Sequence, residues 1–310
     1  MSFLTQNGTL ASVMPSLMGR IHWVAPGAGG YSLNGETFTA ADGNDGVSPE
    51  HALATIDQAI ANATASAGEV IMCLPGTHTP SASLALSKAG VKLLSLEAVL
   101  GGNLMRLSTT IAAVTGDQTA NATAADVEIA GFNIIPVTAD TAIDFTNAAD
   151  GLHVHHCKFD MATPVASTGT KGLEALSGAE GVNFHHLYFD CDGAQGPAFD
   201  ITACTDGLIE NFIIGLSAGT WDVAVQCGAG TDGMTMRNGK FLAGAATITT
   251  GIDGTGVATA SAVHCDRLNF ADSVTQPLRN FSAGEAELVE CYSAGVGAGD
   301  GGALITAIST

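Results

Sequence analysis

One phrase recurs along this 310-residue chain and narrows the possible folds more than any other feature. It reads apolar, any, apolar, two polar, apolar, any, apolar. Its anchors are Val91, Leu93, Leu96 and Ala98; then Val127, Ile129, Phe132 and Ile134; then Leu152, Val154, Cys157 and Phe159; then Val182, Phe184, Leu187 and Phe189. The copies go on with Gly207, Ile209, Phe212 and Ile214; Met234, Met236, Gly239 and Phe241; Val263, Cys265, Leu268 and Phe270; and a degraded Ala286, Leu288, Cys291 and Ser293. Starts fall 23 to 36 residues apart. Each pair of anchors alternates as in a strand, and the two-residue gap reads as a bend that restores the inward face.

Each copy follows a turn, usually an acid and a glycine, at Asp150, Glu180, Asp206 and Asp232. Before the turn lies a second short apolar stretch, as in "AIDF" (Ala142 to Phe145), "AFDI" (Ala198 to Ile201) and "VAV" (Val223 to Val225). No copy carries a helical pattern. Short strands at such a period, with no helix between them, predict an all-β solenoid whose coils stack in parallel about 4.8 Å apart. A β-sandwich, the alternative, would need hairpin turns and a less regular period.

The gap positions hold His155-His156 in one coil and His185-His186 in the next. Elsewhere they hold Glu210-Asn211, Arg237-Asn238, Asp266-Arg267 and Val289-Glu290. A polar bend slot with varied occupants predicts a structural ladder of stacked imidazoles, with no metal and no cofactor. A metal site or an acid–base site is the alternative. The seven cysteines lack CxxC spacing, and Cys157, Cys265 and Cys291 fall on inward anchors, so they are expected as reduced core residues.

Thirty acidic against ten basic residues give a net charge of −20, which disfavours nucleic acid, acidic polysaccharide and anionic membrane as partners. No apolar run is long enough to span a membrane. The opening "MSFLTQNGTLASVMPSLMGR" lacks the pattern of a signal peptide, so the sequons at Asn7, Asn62, Asn121 and Asn280 carry no weight.

Residues 48 to 67 predict an amphipathic helix, with Ser48 as N-cap, Pro49 at the first position and Leu53, Ile56, Ile60 and Ala63 on one face. Gly68 is its stop, and "EVIMCLPGTHT" (Glu69 to Thr79) is a strand running into a Pro-Gly turn. Such a helix would cover the open end of a solenoid, where bare strand edges invite aggregation.

The stretch "DGNDGVSPEHALATIDQAIANATASAGEVIMCLPGTHT", Asp42 to Thr79, resembles the opening module of right-handed parallel β-helix proteins of the pectate-lyase-like class, and phage virion proteins in particular. The coil pattern extends the likeness loosely to Ser293. The resemblance implies a right-handed single-stranded β-helix over 42–310, with coils over about 69–293 and a cap or tail at 294–310. Residues 1–41 would form an arm reaching a capsid or a neighbouring subunit.

Enzymes of this class use either carboxylate-bound calcium with an Arg or Lys base, or grouped carboxylates. The acids available for a hydrolase are Asp160, Asp190 and Asp192, with His155 and His185 as further candidates. Asp160 and Asp190 sit just past the fourth anchor of neighbouring coils, so they are expected one rung apart. Arg237, Lys240 and Arg267 form no Arg-Lys pair beside an acid cluster, and the motif set of pectin hydrolases is missing. "DGNDG" (Asp42 to Gly46) and "DCDG" (Asp190 to Gly193) offer oxygens for calcium, but turn chemistry explains them.

The resulting expectation is a non-enzymatic virion protein of a tailed phage. It would be a capsid decoration or cement protein that binds the major capsid protein as a homotrimer on the capsid exterior after assembly in the host cytoplasm. A depolymerase, lyase or hydrolase, is the alternative, and a receptor-binding fibre the third reading.

Overall fold

In-register parallel pairing dominates the chain. A computed structural model describes residues 20–27, 29–33, 35–99, 107–112, 120–136, 142–144, 150–162, 170–175, 178–192, 196–257, 263–281, 286–294 and 303–304. It is an all-β, right-handed parallel β-helix with an N-terminal helix against its first coils. Most of the tail at 294–310, and residues 1–19 of the arm, lie outside the described residues.

The recurring phrase builds the first two sheets of the coil, two legs that share one hydrogen-bonded network. The first leg stacks Val70–Cys73, Lys92–Ser95, Glu128–Ala130, His153–His155, the start of Asn183–Cys191 and of Leu208–Leu216, Met234–Arg237, Val263–Asp266 and Ala286–Val289. The second leg runs from Gly76–His78 and Thr109–Ala112 through Lys158–Asp160 to Tyr292–Ser293. The short stretches before the acid-Gly turns form a separate third sheet, from Leu84–Leu86 to Val274–Arg279. Inward side chains of all three make one continuous core.

Register stacks like on like within that core. Phe159 lies on Phe189 at 4.6 Å between ring centroids, and Phe241 on Phe270 at 4.4 Å. All four rings are fully buried, each contributing about 1.5–3 kcal/mol of hydrophobic stabilisation. One coil cannot supply this alone, because its inner face meets solvent until neighbours cover it.

The bend between the legs has one backbone solution. Its second residue is left-handed in successive coils: Gly131, His156, His186, Asn211, Asn238, Arg267 and Glu290, all with positive φ. Only glycine takes this region freely, and His and Asn tolerate it better than most. Stacking offsets part of the strain. His156 lies on His186 at 4.7 Å with planes 7° apart, and Asn238 Nδ2 donates to Asn211 Oδ1 at 3.2 Å. The expected imidazole ladder is present and passes into an asparagine ladder.

Three expectations move. The helix is α1, Ile56–Asn62, capped by Thr55, whose hydroxyl accepts from Gln58 N at 3.1 Å. Pro49–His51 is a separate 3₁₀ turn, and Ser48 makes no side-chain cap bond. The reason is Leu53, whose N–H donates to Trp23 O and whose carbonyl accepts from Ala25 N, which draws 52–54 into extended backbone. Ile21–Val24, placed in the arm by the sequence reading, pairs in parallel with Val70–Cys73 and so starts the first leg. The first copy of the phrase breaks after Leu94. Leu96–Val99 is helical, and Ile111, not Ala98, pairs with Ile134.

Candidate active site

Alternation on the third sheet fixes which residues face away from the core. Ile143, Leu173, Phe199, Val225, Ile252 and Leu278 share one register column and are all core. The next residue in each strand therefore points outward, giving the column Asn121, Asp144, Glu174, Asp200, Gln226, Asp253 and Arg279. Four of the seven are acids, and they are nearly covered: Asp144 is 3% exposed, Glu174 8%, Asp200 9% and Asp253 3%. Carboxylates are seldom this buried without partners.

Among the described residues, Lys171 and Arg279 are the cations bound to the column's acids. Lys171, on the approach to Leu173–Ala175, binds Glu174 and also reaches Asp200 Oδ2 at 2.5 Å. Burial works against the Lys171 charge, but Asp200 and Glu174 outweigh it and raise its pKa. Arg279 Nη2 meets Asp253 Oδ2 at 2.5 Å. Asp253 Oδ1 also accepts from Thr255 Oγ1 at 2.7 Å and from Asn280 Nδ2 at 2.9 Å. Burial alone would raise the Asp253 pKa, yet the bonds from Thr255, Arg279 and Asn280 carry it below the usual carboxylate range.

The acids of the column thus differ in their surroundings. Asp253 is locked in a turn network and is built for structure. Glu174 and Asp200 sit one rung apart, about 4.8 Å, and share one ammonium group. A pair so placed can combine attack or base action with proton donation on one substrate.

The acids named from the sequence lie elsewhere. Asp160 and Asp190 are register partners on the second leg, as expected, and Lys158 Nζ sits 3.0 Å from Asp190 Oδ2 and 4.0 Å from Asp160 Oδ2. Asp192 is exposed, just beyond the end of that strand. His155 and His185 stand on the first leg, across the left-handed bend, stacked 4.8 Å apart. His155 Nε2 donates to Glu128 Oε1 at 2.9 Å, since an ionised carboxylate only accepts. That bond, opposed by burial and aided by Lys92, pulls Glu128 down to about 2. The five candidates therefore divide between two faces and do not form one constellation.

Of the basic residues weighed for a lyase, Arg237 binds Glu210 at 2.7 Å and Arg267 binds Asp266 at 2.8 Å. Asp42, at the head of "DGNDG", accepts from Ala54 N, Thr55 N and Thr55 Oγ1, which is capping and turn chemistry. The last residue of "DCDG", Gly193, lies outside the described residues.

The sequence reading missed the outward column because it took "AIDF" and "AFDI" as plain apolar strands. The signal was present: an acid directly after the core residue in Ile143-Asp144, Leu173-Glu174, Phe199-Asp200 and Ile252-Asp253. It shows only when these stretches are aligned with one another as well as with the main phrase.

No family model matches the chain, and no curated protein matches it in sequence. Solved structures do resemble it. A pectin methylesterase from Aspergillus niger aligns with a TM-score of 0.53 at 14% identity, over 86% of this chain and 89% of that one. A mutant pectin methylesterase in complex with a hexasaccharide aligns with a TM-score of 0.50 at 12% identity, over 84% and 89%. At such identity the likeness establishes the fold. It also corrects the expectation of a non-enzymatic capsid decoration protein. The similar folds are those of pectin methylesterases, and the third sheet carries four nearly buried acids that the sequence reading did not weigh. The chain is similar to the parallel β-helix enzymes in fold, and to the pectin methylesterases among them.

Proposed function

We propose that this protein is a carbohydrate-active hydrolase with Glu174 and Asp200 as its reacting pair. One observation carries the reading: two carboxylates on successive rungs, facing away from the core, about nine-tenths buried and sharing Lys171. One of the two would attack or activate water while the other passes a proton to the leaving oxygen. Lys171 would hold the pair in place and balance part of its charge. The neighbours' activity, named for pectin methylesterase, supports an ester of a polysaccharide as the first substrate to try.

Charge narrows the substrate further. A chain of net charge −20 repels a bare polyuronate, so a neutral or esterified stretch suits it better. If an ester is cleaved, the new carboxylate on the product would be repelled from the acidic column, which favours release. The likeness of Asp42 to Thr79 to phage virion proteins supports a particle-borne depolymerase, assembled as a trimer, as the setting.

The test is turnover on methyl-esterified and neutral polysaccharides, reading released alcohol and new reducing ends separately. Alcohol release marks an esterase and reducing ends a glycosidase. Asp200→Asn and Glu174→Gln should each lower turnover by about 10²–10⁴-fold with the β-sheet circular dichroism unchanged. Full activity in both variants sinks the reading.

A further inference from the structure

Five histidines gather on the first leg and at its bend, on a different sheet from the carboxylate column. Their nitrogens meet one another. His153 Nε2 lies 2.7 Å from His185 Nε2, His155 Nδ1 lies 2.9 Å from His156 Nδ1, and His185 Nδ1 lies 2.8 Å from His186 Nδ1. One ring nitrogen from each of His153, His155 and His185 fall within 4.8 Å of each other, and so do those of His156, His185 and His186. His185 belongs to both groups.

A ladder needs only the stacked pairs, His155 on His185 and His156 on His186. It does not need His153, which is two residues before His155 on the same face, with its ring 4.3 Å from the His155 ring. In the register column of His153, the next coil has Asn183 and the one before has Glu128. The third imidazole is thus an addition to the ladder, and it faces the two ladder rings.

We propose that His153, His155 and His185 form a binding site for a divalent late first-row transition metal, of the Zn²⁺ class, that clamps two successive coils together. Imidazole nitrogen is a standard ligand for these ions, and three of them leave a fourth position for water. The contact between His153 Nε2 and His185 Nε2 is attractive only with a proton between two lone pairs, and a cation would take the place of that proton. With Nε2 donating to Glu128, His155 offers Nδ1, which would exchange its contact with His156 for the ion. Tetrahedral ligands about 2.0–2.1 Å from Zn²⁺ stand roughly 3.3 Å apart, so the His153–His185 contact opens by about half an ångström. Glu128 adds the usual support. Its bond to His155 Nε2 fixes that ring, as a carboxylate does behind a metal-bound histidine, and its charge favours a cation nearby. Because the ligands come from adjacent coils, binding ties the His153–His155 strand to the strand Asn183–Cys191.

The test uses the full chain without a histidine tag, freed of metal by chelation. Zn²⁺ is titrated by calorimetry at neutral pH, Co²⁺ by visible absorption, and thermal unfolding is followed with and without Zn²⁺. The expected result is one equivalent bound, tetrahedral Co²⁺ bands and a melting temperature raised by Zn²⁺. His153→Asn and His185→Gln should each weaken binding at least tenfold and remove the Zn²⁺-induced rise. Glu128→Gln should weaken it by about 10–100-fold. His153→Asn guards against simple misfolding, since Asn183 already fills that column one coil on. No saturable binding by the unaltered protein, or equal binding by folded His153→Asn and His185→Gln, overturns the proposal. Loss of activity in the carboxylate variants has no bearing on this site, so the two readings fail separately.

Discussion

Glu174 and Asp200 pair across adjacent coils and share the ammonium of Lys171. With Asp144 one rung further along the same column, the two belong to a run of three successive acids that is about nine-tenths covered. Lys171→Met removes the cation that these two acids share. It should destabilise the fold by about 1–3 kcal/mol, because two poorly solvated carboxylates then face each other. Urea unfolding followed by circular dichroism measures this. Asp200→Asn in the same background should recover part of the loss, which a mere packing defect at Lys171 would not allow.

Gly239 occupies the third anchor of its coil, where other coils place Phe132, Leu187 or Leu268. The ring of Phe212 from the coil before fills the space, and a Cβ on Gly239 would stand 2.2 Å from Phe212 Cζ. Gly239→Ala should therefore cost about 1–3 kcal/mol through overpacking. Adding Phe212→Leu should restore part of it, and an additive double variant in urea titration would refute the interlock.

The histidine cluster makes stability fall in mild acid. Burial, then the neighbouring imidazoles His155 and His153, pull His185 from 6.5 to about 4, and His153 and His156 are lowered by burial and by His155 in the same way. In the unfolded chain these rings take up protons near 6.5 while the folded state resists. Stability is thus fully present above about 6.5 and declines as pH falls towards about 4. Glu128 extends the decline, since its folded value near 2 lies below the unfolded one. Its contribution is present above the usual glutamate range and is lost as pH falls towards 2. Urea midpoints from pH 7.5 to 4.5 should drop for the unaltered protein and drop less for His185→Gln. Equal slopes for the two would refute the assignment.

All seven cysteines are buried and free, and burial raises their pKa, to about 12 for Cys157, Cys204 and Cys227. The thiolate is the reactive form, so the native protein should give almost no reaction with a thiol reagent at pH 8, and seven equivalents in guanidinium chloride. Rapid native labelling of even one would show a coil that opens locally.

The solenoid was legible in the linear order because stacking repeats the same demand in every coil. A strand needs alternation, a bend needs two polar positions, and equivalents recur at a near-constant interval. Hence Val154, Phe159, Phe184 and Phe189 were placed in the core, His156 and His186 in the bend, and Asp160 beside Asp190. The helix bounds were not legible, because Leu53 answers to Trp23 and Ala25, some thirty residues away. The same limit hid the candidate site. Sequence by itself determines which face of a strand each residue takes, since that depends only on parity along the chain. Which residues of different coils share a column is decided by the loop lengths between them, and those differ from coil to coil. Only the folded register set Glu174 beside Asp200 under one lysine, and only the stacking brought His153 to the two ladder rings. Charge spacing across coils is a property of that register, and the chemistry proposed for both sites depends on it.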